Sequence, residues 1–130
     1  MAGPALCPCG SEQMYAACCG RYVDNDNRPP TAEQLMRSRY SAYVQRNSDY
    51  LLRSWSEATR PQAFNMRSDD GVKWLGLKIV DTDAGGEQDT HGIVEFVARY
   101  KVNGKAVRLH ERSRFKRVDG QWFYVDGIIK

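Results

Sequence analysis

Residues 90–126 read THGIVEFVARYKV NG KAVRLHERSRFKRV DG QWFYVD, and this stretch determines the fold of the chain. The dipeptides Asn103-Gly104 and Asp119-Gly120 are strong signals for two-residue turns in β-hairpins. Each lies between runs rich in β-branched and aromatic residues. They therefore divide the stretch into three antiparallel strands, predicted at 90–102, 105–118 and 121–126.

The two turns also determine which residues face each other, because tight turns pair Val102 with Lys105 and Val118 with Gln121. Side chains alternate along a strand, so counting from these pairs assigns each residue to one face of the sheet. The face predicted to cover the core carries Val94, Phe96, Ala98, Tyr100, Val107, Leu109, Glu111, Ser113, Phe115, Trp122, Tyr124 and Asp126.

Three polar residues interrupt this apolar face at one end. The register places Glu111 opposite Phe96, and Ser113 opposite Asp126. Carboxylates on an apolar face are rarely buried unless they are paired. In a structural interpretation, Glu111 accepts a hydrogen bond from a helix arginine such as Arg37 or Arg39, or from a tyrosine.

A functional interpretation of the same residues remains open. Glu111, Ser113 and Asp126, with Arg39 and Tyr124, would then form a pocket for a small molecule or for acid and base chemistry. Simple exposure of Glu111 to solvent is the third interpretation.

The opposite face of the sheet is basic, and its cations are Arg99, Lys101, Arg108, Arg112, Arg114 and Lys116. Such a stripe is most simply a solvated surface, and Glu95 opposite Arg112 offsets part of it. A nucleic-acid or ribosome interface is the alternative. Phe123 is the one aromatic residue predicted on this face, so few rings are available to stack on bases.

The N-terminal half is predicted to be helical. Thr31 begins a capping box, and apolar residues at helical spacing extend the helix to about Gln45. Ser48 is expected to cap a second short helix, and a first strand is expected at 73–81. The class is therefore α+β, with helices packed on a curved antiparallel sheet.

Four cysteines, Cys7, Cys9, Cys18 and Cys19, lie within the first nineteen residues. Four thiolates at this spacing predict a structural Zn²⁺ site, with a short helix over residues 10–17, capped by Ser11 and ended by Gly20. Two disulfides would require a strained bridge between the adjacent Cys18 and Cys19. An iron site, a redox switch and a site without metal also stay open.

Composition excludes several classes of protein. The chain has 130 residues and a formal charge of +3, which four thiolates and one Zn²⁺ would lower to about +1. No apolar run is long enough to span a membrane, and residues 1–4 do not begin an export signal, so a cytoplasmic protein is expected. No phosphate-binding loop or nucleophile with a base is found, so an enzyme is not the expected class.

The cysteine segment, Cys-Pro-Cys-Gly-Ser followed by Cys-Cys-Gly and Arg21-Tyr22, resembles the SEC-C zinc motif first named from the SecA translocation ATPase. The resemblance implies that Cys7, Cys9, Cys18 and Cys19 are the metal ligands. In SecA the motif contacts the acidic chaperone SecB and the ribosome, and its helix commonly carries lysines. This chain has no lysine in the corresponding helix.

Most of the remaining chain resembles the bacterial YchJ family, which is similar to the nuclear transport factor 2 like (cystatin-like) cone. The matching segments are PTAE (30–33), MRSRYSAY (36–43), VEFVA (94–98), HERSRF (110–115) and GQWFYVDG (120–127). The predicted organisation is a zinc knuckle at 1–24, a polar linker and a cone at 31–130. Loss of a cysteine is then expected to unfold the knuckle and leave the cone folded.

The fold does not choose a function, because this cone hosts isomerases, dehydratases and binding domains alike. The leading expectation is an interaction or accessory module with a protein partner. A small-molecule-binding or catalytic cone using Glu111 and Asp126 is a second hypothesis, and a nucleic-acid-binding or ribosome-associated protein is a third.

Overall fold

The computed structural model describes residues 6–25, 27–62 and 71–130. Its elements are three helices, α1 (Gly20–Val23), α2 (Ala32–Gln45) and α3 (Ser48–Arg53), and four strands, β1 (Val72–Ala84), β2 (His91–Val102), β3 (Lys105–Val118) and β4 (Gln121–Ile129). The strands form one antiparallel sheet in the order β1-β2-β3-β4. The α+β class is therefore confirmed.

Both hairpin turns have the predicted position and conformation. Asn103, Gly104, Asp119 and Gly120 all have positive φ, between 49° and 87°, which the favoured two-residue turn requires. Val102 pairs with Lys105, and Val118 pairs with Gln121, as predicted. Two strands extend beyond their predicted limits: β1 reaches Ala84, and β4 reaches Ile129.

The predicted register is wrong in the second half of β4. Phe115 pairs with Tyr124, but its neighbour Arg114 pairs with Asp126, so Val125 is an extra residue at a β-bulge. Ser113 therefore lies opposite Gly127 and not opposite Asp126. The bulge shifts Asp126 by one residue and turns it to the outer face of the sheet.

Helix α2 begins as predicted, because the Thr31 hydroxyl accepts a hydrogen bond from the Gln34 amide at 3.2 Å. The predicted cap of α3 is wrong by one residue. The Asn47 side chain, and not Ser48, accepts from the Tyr50 amide at 3.0 Å. Helix α2 packs against β1, β2 and β4, and α3 packs against α2. The indole of Trp122 donates to the Pro30 carbonyl at 3.1 Å.

The helix predicted over residues 10–17 is wrong. Gly10 and Glu12 both have positive φ, 81° and 66°, which breaks a right-handed helix. A single 3-10 turn covers Tyr15–Ala17, and Gly20 begins α1 instead of ending a helix. Val23 is the buried last residue of α1.

The cysteines, α1, the longer helices and the sheet share one core. Cys9 and Cys19 are as buried as Leu35, Phe115 and Trp122, all at 1% exposure or less, and belong to the same hydrophobic cluster. No helix in residues 6–25, 27–62 or 71–130 is both long and apolar enough to cross a membrane. The division into a knuckle at 1–24 and a cone at 31–130 stays a prediction. Among the described residues, side chains from both ranges belong to the same core.

Candidate metal centre and cone cavity

The four cysteines converge on one buried point. Their sulfur atoms all lie within 4.8 Å of one another, and Cys9 Sγ and Cys18 Sγ are 3.6 Å apart. A tetrahedral zinc with Zn–S bonds of about 2.3 Å places its sulfurs about 3.8 Å apart. All four side chains are buried and none forms a disulfide. The donor set and spacing therefore fit a metal ion held by four thiolates.

The backbone explains how neighbouring cysteines reach one ion. Cys18 ends the 3-10 turn with φ −124° and ψ −112°, and Cys19 is the first residue of the turn that opens α1. The break between the two helical segments lies at Cys18, so the side chains of Cys18 and Cys19 need not diverge as in a continuous helix. On the other side, the Cys7 amide donates to the Gln13 carbonyl at 2.7 Å and closes the loop.

Polar groups surround the sulfurs. Ser11 Oγ lies 3.2 Å from Cys18 Sγ, and Ser41 Oγ of α2 lies 3.5 Å from Cys7 Sγ. Arg37, also from α2, donates to the Cys9 carbonyl at 2.9 Å and approaches Cys9 Sγ at 3.8 Å. Such partners orient metal ligands, and a cation offsets the negative charge of a tetrathiolate centre.

Arg37, named from the sequence as a possible partner of Glu111, contacts the cysteine segment instead. Its guanidinium also binds Glu33, with 3.0 Å between Arg37 Nε and Glu33 Oε2, and so links the knuckle to this side chain. Burial lowers the pKa of Arg37, but its hydrogen bonds to Glu33 and Cys9 outweigh burial, so the pKa is raised overall. The apolar periodicity of α2 does not reveal this role of Arg37, because its partner Cys9 lies in a separate segment of the chain.

A second polar cluster lines a cavity of about 180 Å³ between α2 and the core-facing side of the sheet. Aromatic rings make up much of the wall, and Arg39, Glu111 and Tyr124 are the polar groups that enter it. The rest of the lining is Met36, Tyr40, Tyr43, Trp74, Phe96, Ala98 and Leu109.

Arg39 is almost completely buried, at 3% exposure. Its Nη1 atom donates to the Leu51 carbonyl at 2.8 Å and to Ser54 Oγ at 2.7 Å. The guanidinium also lies over the rings of Tyr124 and Trp55, at 4.6 Å and 5.3 Å from the centroids. Burial lowers the pKa of Arg39, and the nearby Tyr and Glu111 side chains oppose that shift.

Glu111 is held by hydroxyl groups. The Ser113 hydroxyl donates to Glu111 Oε2, and the Tyr124 hydroxyl donates to the same oxygen at 3.3 Å. Burial, reinforced by the Glu111 charge, raises the pKa of Tyr124, which keeps its hydroxyl protonated as a donor. Of the predicted structural partners of Glu111, the tyrosine is therefore found, and within the described residues neither Arg37 nor Arg39 hydrogen-bonds to it.

The bulge in β4 adds a contact that the sequence did not predict. Gly127 lies opposite Ser113, directly against the Glu111 carboxylate, where any Cβ would collide with that carboxylate. A glycine just beyond the predicted end of a strand gave no signal of this role. The large rings of Tyr40, Tyr43 and Trp74 were also missed as cavity residues, because they looked like ordinary core positions.

The structure brings together four of the five predicted pocket residues. Arg39, Glu111 and Tyr124 line the cavity, and Ser113 lies behind Glu111. Asp126 is not part of this cluster. It forms a two-pronged ion pair with Arg114 on the outer face, with both N···O distances at 2.6 Å, and this contact lowers the pKa of Asp126.

Comparison with protein families matches both parts of the chain. The model described as the YchJ middle NTF2-like domain matches residues 31–127, and the SEC-C motif model matches residues 4–21. A solution structure of a SEC-C motif containing protein from Rhodopseudomonas palustris superposes with a TM-score of 0.81 at 30% identity, covering 95% of this chain and 98% of that one. A crystal structure of another such protein, from Psychrobacter arcticus, has a TM-score of 0.74 at 26% identity, covering 96% and 82%.

Whole-chain relatives agree with these matches. A UPF0225 protein of Chromobacterium violaceum is 56% identical over 127 residues, covering 96% of this chain and 93% of the relative. A UPF0225 protein of Streptomyces coelicolor is 50% identical over 121 residues, covering 93% of each. This chain therefore belongs to the YchJ-like UPF0225 family of bacterial proteins, with a SEC-C motif and an NTF2-like domain.

Proposed function

We propose that this protein is a zinc-stabilised cytoplasmic binding module whose cone cavity holds a small organic molecule. The observation that supports this function is the cavity of about 180 Å³ in which Arg39, Glu111 and Tyr124 meet among aromatic rings. Convergent polar groups in an apolar concavity are typical of ligand sites.

Zinc is the metal that we propose for the cysteine cluster. Four thiolates occupy all positions of a tetrahedron, so the site has no open position for a substrate and is structural in type. The sulfurs are buried in the common core, where a bound ion would stabilise the folded state. Free cysteines of this kind persist in the reducing cytoplasm, which supports that location.

The cavity limits the size and chemistry of the ligand. A dry cavity of about 150 Å³ is large enough for benzene, so this one has room for a single ring with a small substituent. Arg39 supplies a cation and Glu111 a carboxylate, so their charges oppose each other near the ligand. We expect a neutral, flat molecule with one group that both donates and accepts hydrogen bonds, for example a phenol or an aromatic amide.

Binding is favoured over catalysis by the contacts that the polar groups already make. Arg39 is engaged by Leu51 and Ser54, and Glu111 by Ser113 and Tyr124. If Arg39 or Glu111 gave a proton to a substrate or took one from it, that side chain would have to break these hydrogen bonds. The proposed roles are therefore recognition by Glu111 and Tyr124, and support of the cavity wall by Arg39.

The test is an NMR titration of the zinc-loaded protein with phenol and with benzamide. We expect shifts of the Trp74 indole and the methyl groups of Ala98 and Leu109, which line the cavity. Ala98→Leu fills the cavity and should abolish the shifts. Ala106→Leu is the matched control, because Ala106 is exposed on the outer face of β3.

Equal titration of the two variants, or no shift at cavity residues with either probe, would overturn the cavity proposal. Retained cooperative melting shows that each variant is folded. Zinc is tested separately by native mass spectrometry of protein expressed without a metal-binding tag. One Zn²⁺ per chain is expected, and a metal-free mass with four free thiols would refute the assignment.

A protein-interaction role for the knuckle is the second candidate, favoured by an exposed apolar pair. Leu6 and Met14 are 63% and 42% exposed and lie side by side in a short antiparallel bridge. Replacing both with Ser should abolish capture of a specific protein from extract, while replacing the distant, exposed Val118 should not. Capture that is the same with both variants would exclude this surface.

A further inference from the structure

The outer face of the sheet has two halves with different charge patterns. In one half, Arg112 and Arg114 both have acidic partners. Arg112 binds Asp81 at 3.3 Å and Glu95 at 2.9 Å, and Arg114 binds Asp126. In the other half lie five cations, which we call the basic patch: Lys73, Lys78, Arg99, Lys101 and Arg108.

The register concentrates these cations. Lys73 pairs directly with Lys101 across β1 and β2, and Arg99 pairs directly with Arg108 across β2 and β3. All are exposed, and among the residues that the structure describes none of the five forms an ion pair. Like charges in directly opposed positions destabilise a sheet, so sheet stability does not account for this arrangement.

Two small residues lie at the sides of the basic patch. Gly76 pairs with Arg99 on one side, and an added Cβ there would meet no atom within 4 Å. Ala106 pairs with Lys101 on the other side. The central cations Arg99 and Lys101 are therefore flanked by shallow positions where a chain of anionic groups can approach the backbone.

We propose that the basic patch binds the phosphate backbone of a nucleic acid without reading its sequence. Paired arginines suit phosphate, because a guanidinium binds two phosphate oxygens at once. Recognition of a peptide or insertion into a membrane usually depends on a pocket or on several large apolar anchors. Beside the cations of the patch, Gly76 and Ala106 are small, Val97 is buried, and Leu75 is an exposed apolar side chain next to Gly76. The five residues of the patch include no aromatic ring, so bases are not stacked on it.

The test measures binding of a labelled, mixed-sequence 20-nucleotide single-stranded RNA to the zinc-loaded protein by fluorescence anisotropy. Five phosphate contacts predict a slope of about −3.5 in log affinity against log salt, a loss of about 100-fold between 50 and 200 mM KCl. The variant Arg99→Gln with Lys101→Gln should bind at least tenfold more weakly, and its loss over the same range should fall to about 20-fold.

The matched control is Arg112→Gln with Arg114→Gln, which removes the same charge from the same face. It should bind RNA within about twofold of wild type, because both arginines are already neutralised by acidic partners. If both double variants bound RNA equally weakly, the loss of affinity would follow from net charge alone, and the proposal would be overturned. An absence of RNA binding at 50 mM KCl would also overturn it, whether or not vesicles of anionic lipid or a polyglutamate peptide bind.

Discussion

The candidate metal centre and the cone cavity are two polar sites that share one helix. Helix α2 gives Arg37 and Ser41 to the cysteines, and gives Arg39 and Tyr43 to the cavity. Two arginines only two positions apart thus serve different sites. The metal centre is built from ligands close together in the chain, whereas the cavity is built from a helix and strands that meet only after folding.

The two sites also differ in the contacts that stabilise them. The metal centre depends on local loops but sits in the common core with α2 and the sheet. The cavity depends on the register of β3 against β4, which the bulge at Val125 resets. Damage to the metal centre should therefore spread through the core, and damage to the cavity should remain local.

The largest expected effect follows from loss of the metal. The sequence alone suggests that Cys9→Ser unfolds the knuckle and leaves the cone intact. Because Cys9 is fully buried and Arg37 binds its carbonyl, we now expect the whole domain to be destabilised. A structural zinc is worth more than a typical stability margin, so the melting temperature should fall by more than about 10 °C.

Far-ultraviolet circular dichroism and tryptophan fluorescence measure this loss together, since Trp122 reports the core of the cone. Wild type treated with a strong chelator is the companion sample and should behave like Cys9→Ser. A sheet that melts at the wild-type temperature in either sample would show that knuckle and cone are separate units.

A smaller effect is expected at the cavity. Glu111→Gln keeps the size of the side chain but removes the charge that Ser113 and Tyr124 stabilise. Hydrogen bonds to charged groups are worth about 1 kcal/mol more than neutral ones, so unfolding in urea should become easier by about 1 to 2 kcal/mol. Metal content should not change.

Gly127→Ala gives an independent check of the same site. A Cβ at this position displaces the Glu111 carboxylate without removing it. We expect a loss of stability comparable to that of Glu111→Gln, and little further loss when the two changes are combined. Full additivity would contradict the contact between these residues.

The sequence predicted the parts of both sites that depend on local chemistry. Asn103-Gly104 and Asp119-Gly120 specify tight turns by themselves, so the pairing of β2 with β3 was correct throughout. The four cysteines that converge could be identified from their spacing alone. Their helix could not, because positive φ at Glu12 depends on how the loop closes around the cysteine cluster.

What failed depended on contacts between distant segments. The bulge at Val125 has no local sequence signal, since a single extra residue in a strand leaves the turn chemistry unchanged. That residue moved Asp126 out of the predicted pocket. The role of Arg37 was hidden for a similar reason, because its partner Cys9 comes from a separate segment that docks on α2.

Arg37 offers a still smaller but specific test of how the two sites are joined. Arg37→Gln removes the cation beside Cys9 and should weaken zinc affinity about tenfold in competition with a chelator, as expected for groups that orient ligands. Glu33→Gln is the matched control. It breaks the partly exposed pair with Arg37 but leaves the contact to Cys9, so zinc affinity should stay near wild type.

The smallest effect is expected at Asp126, and it tests the bulge directly. If Asp126 faced the cavity, Asp126→Asn would destabilise the protein as Glu111→Gln does. In the observed register Asp126 pairs with Arg114 on the surface, where both side chains are about half exposed. An exposed pair of this kind is worth about 0.2 to 1 kcal/mol, which shifts the melting temperature by at most about 4 °C, and salt screens it. The pKa of Asp126 is lowered in the folded state, so its contribution is present at neutral pH and is lost as pH falls through that lowered value. A large change in melting temperature that persists in 1 M salt would place Asp126 inside the cone and refute the bulge.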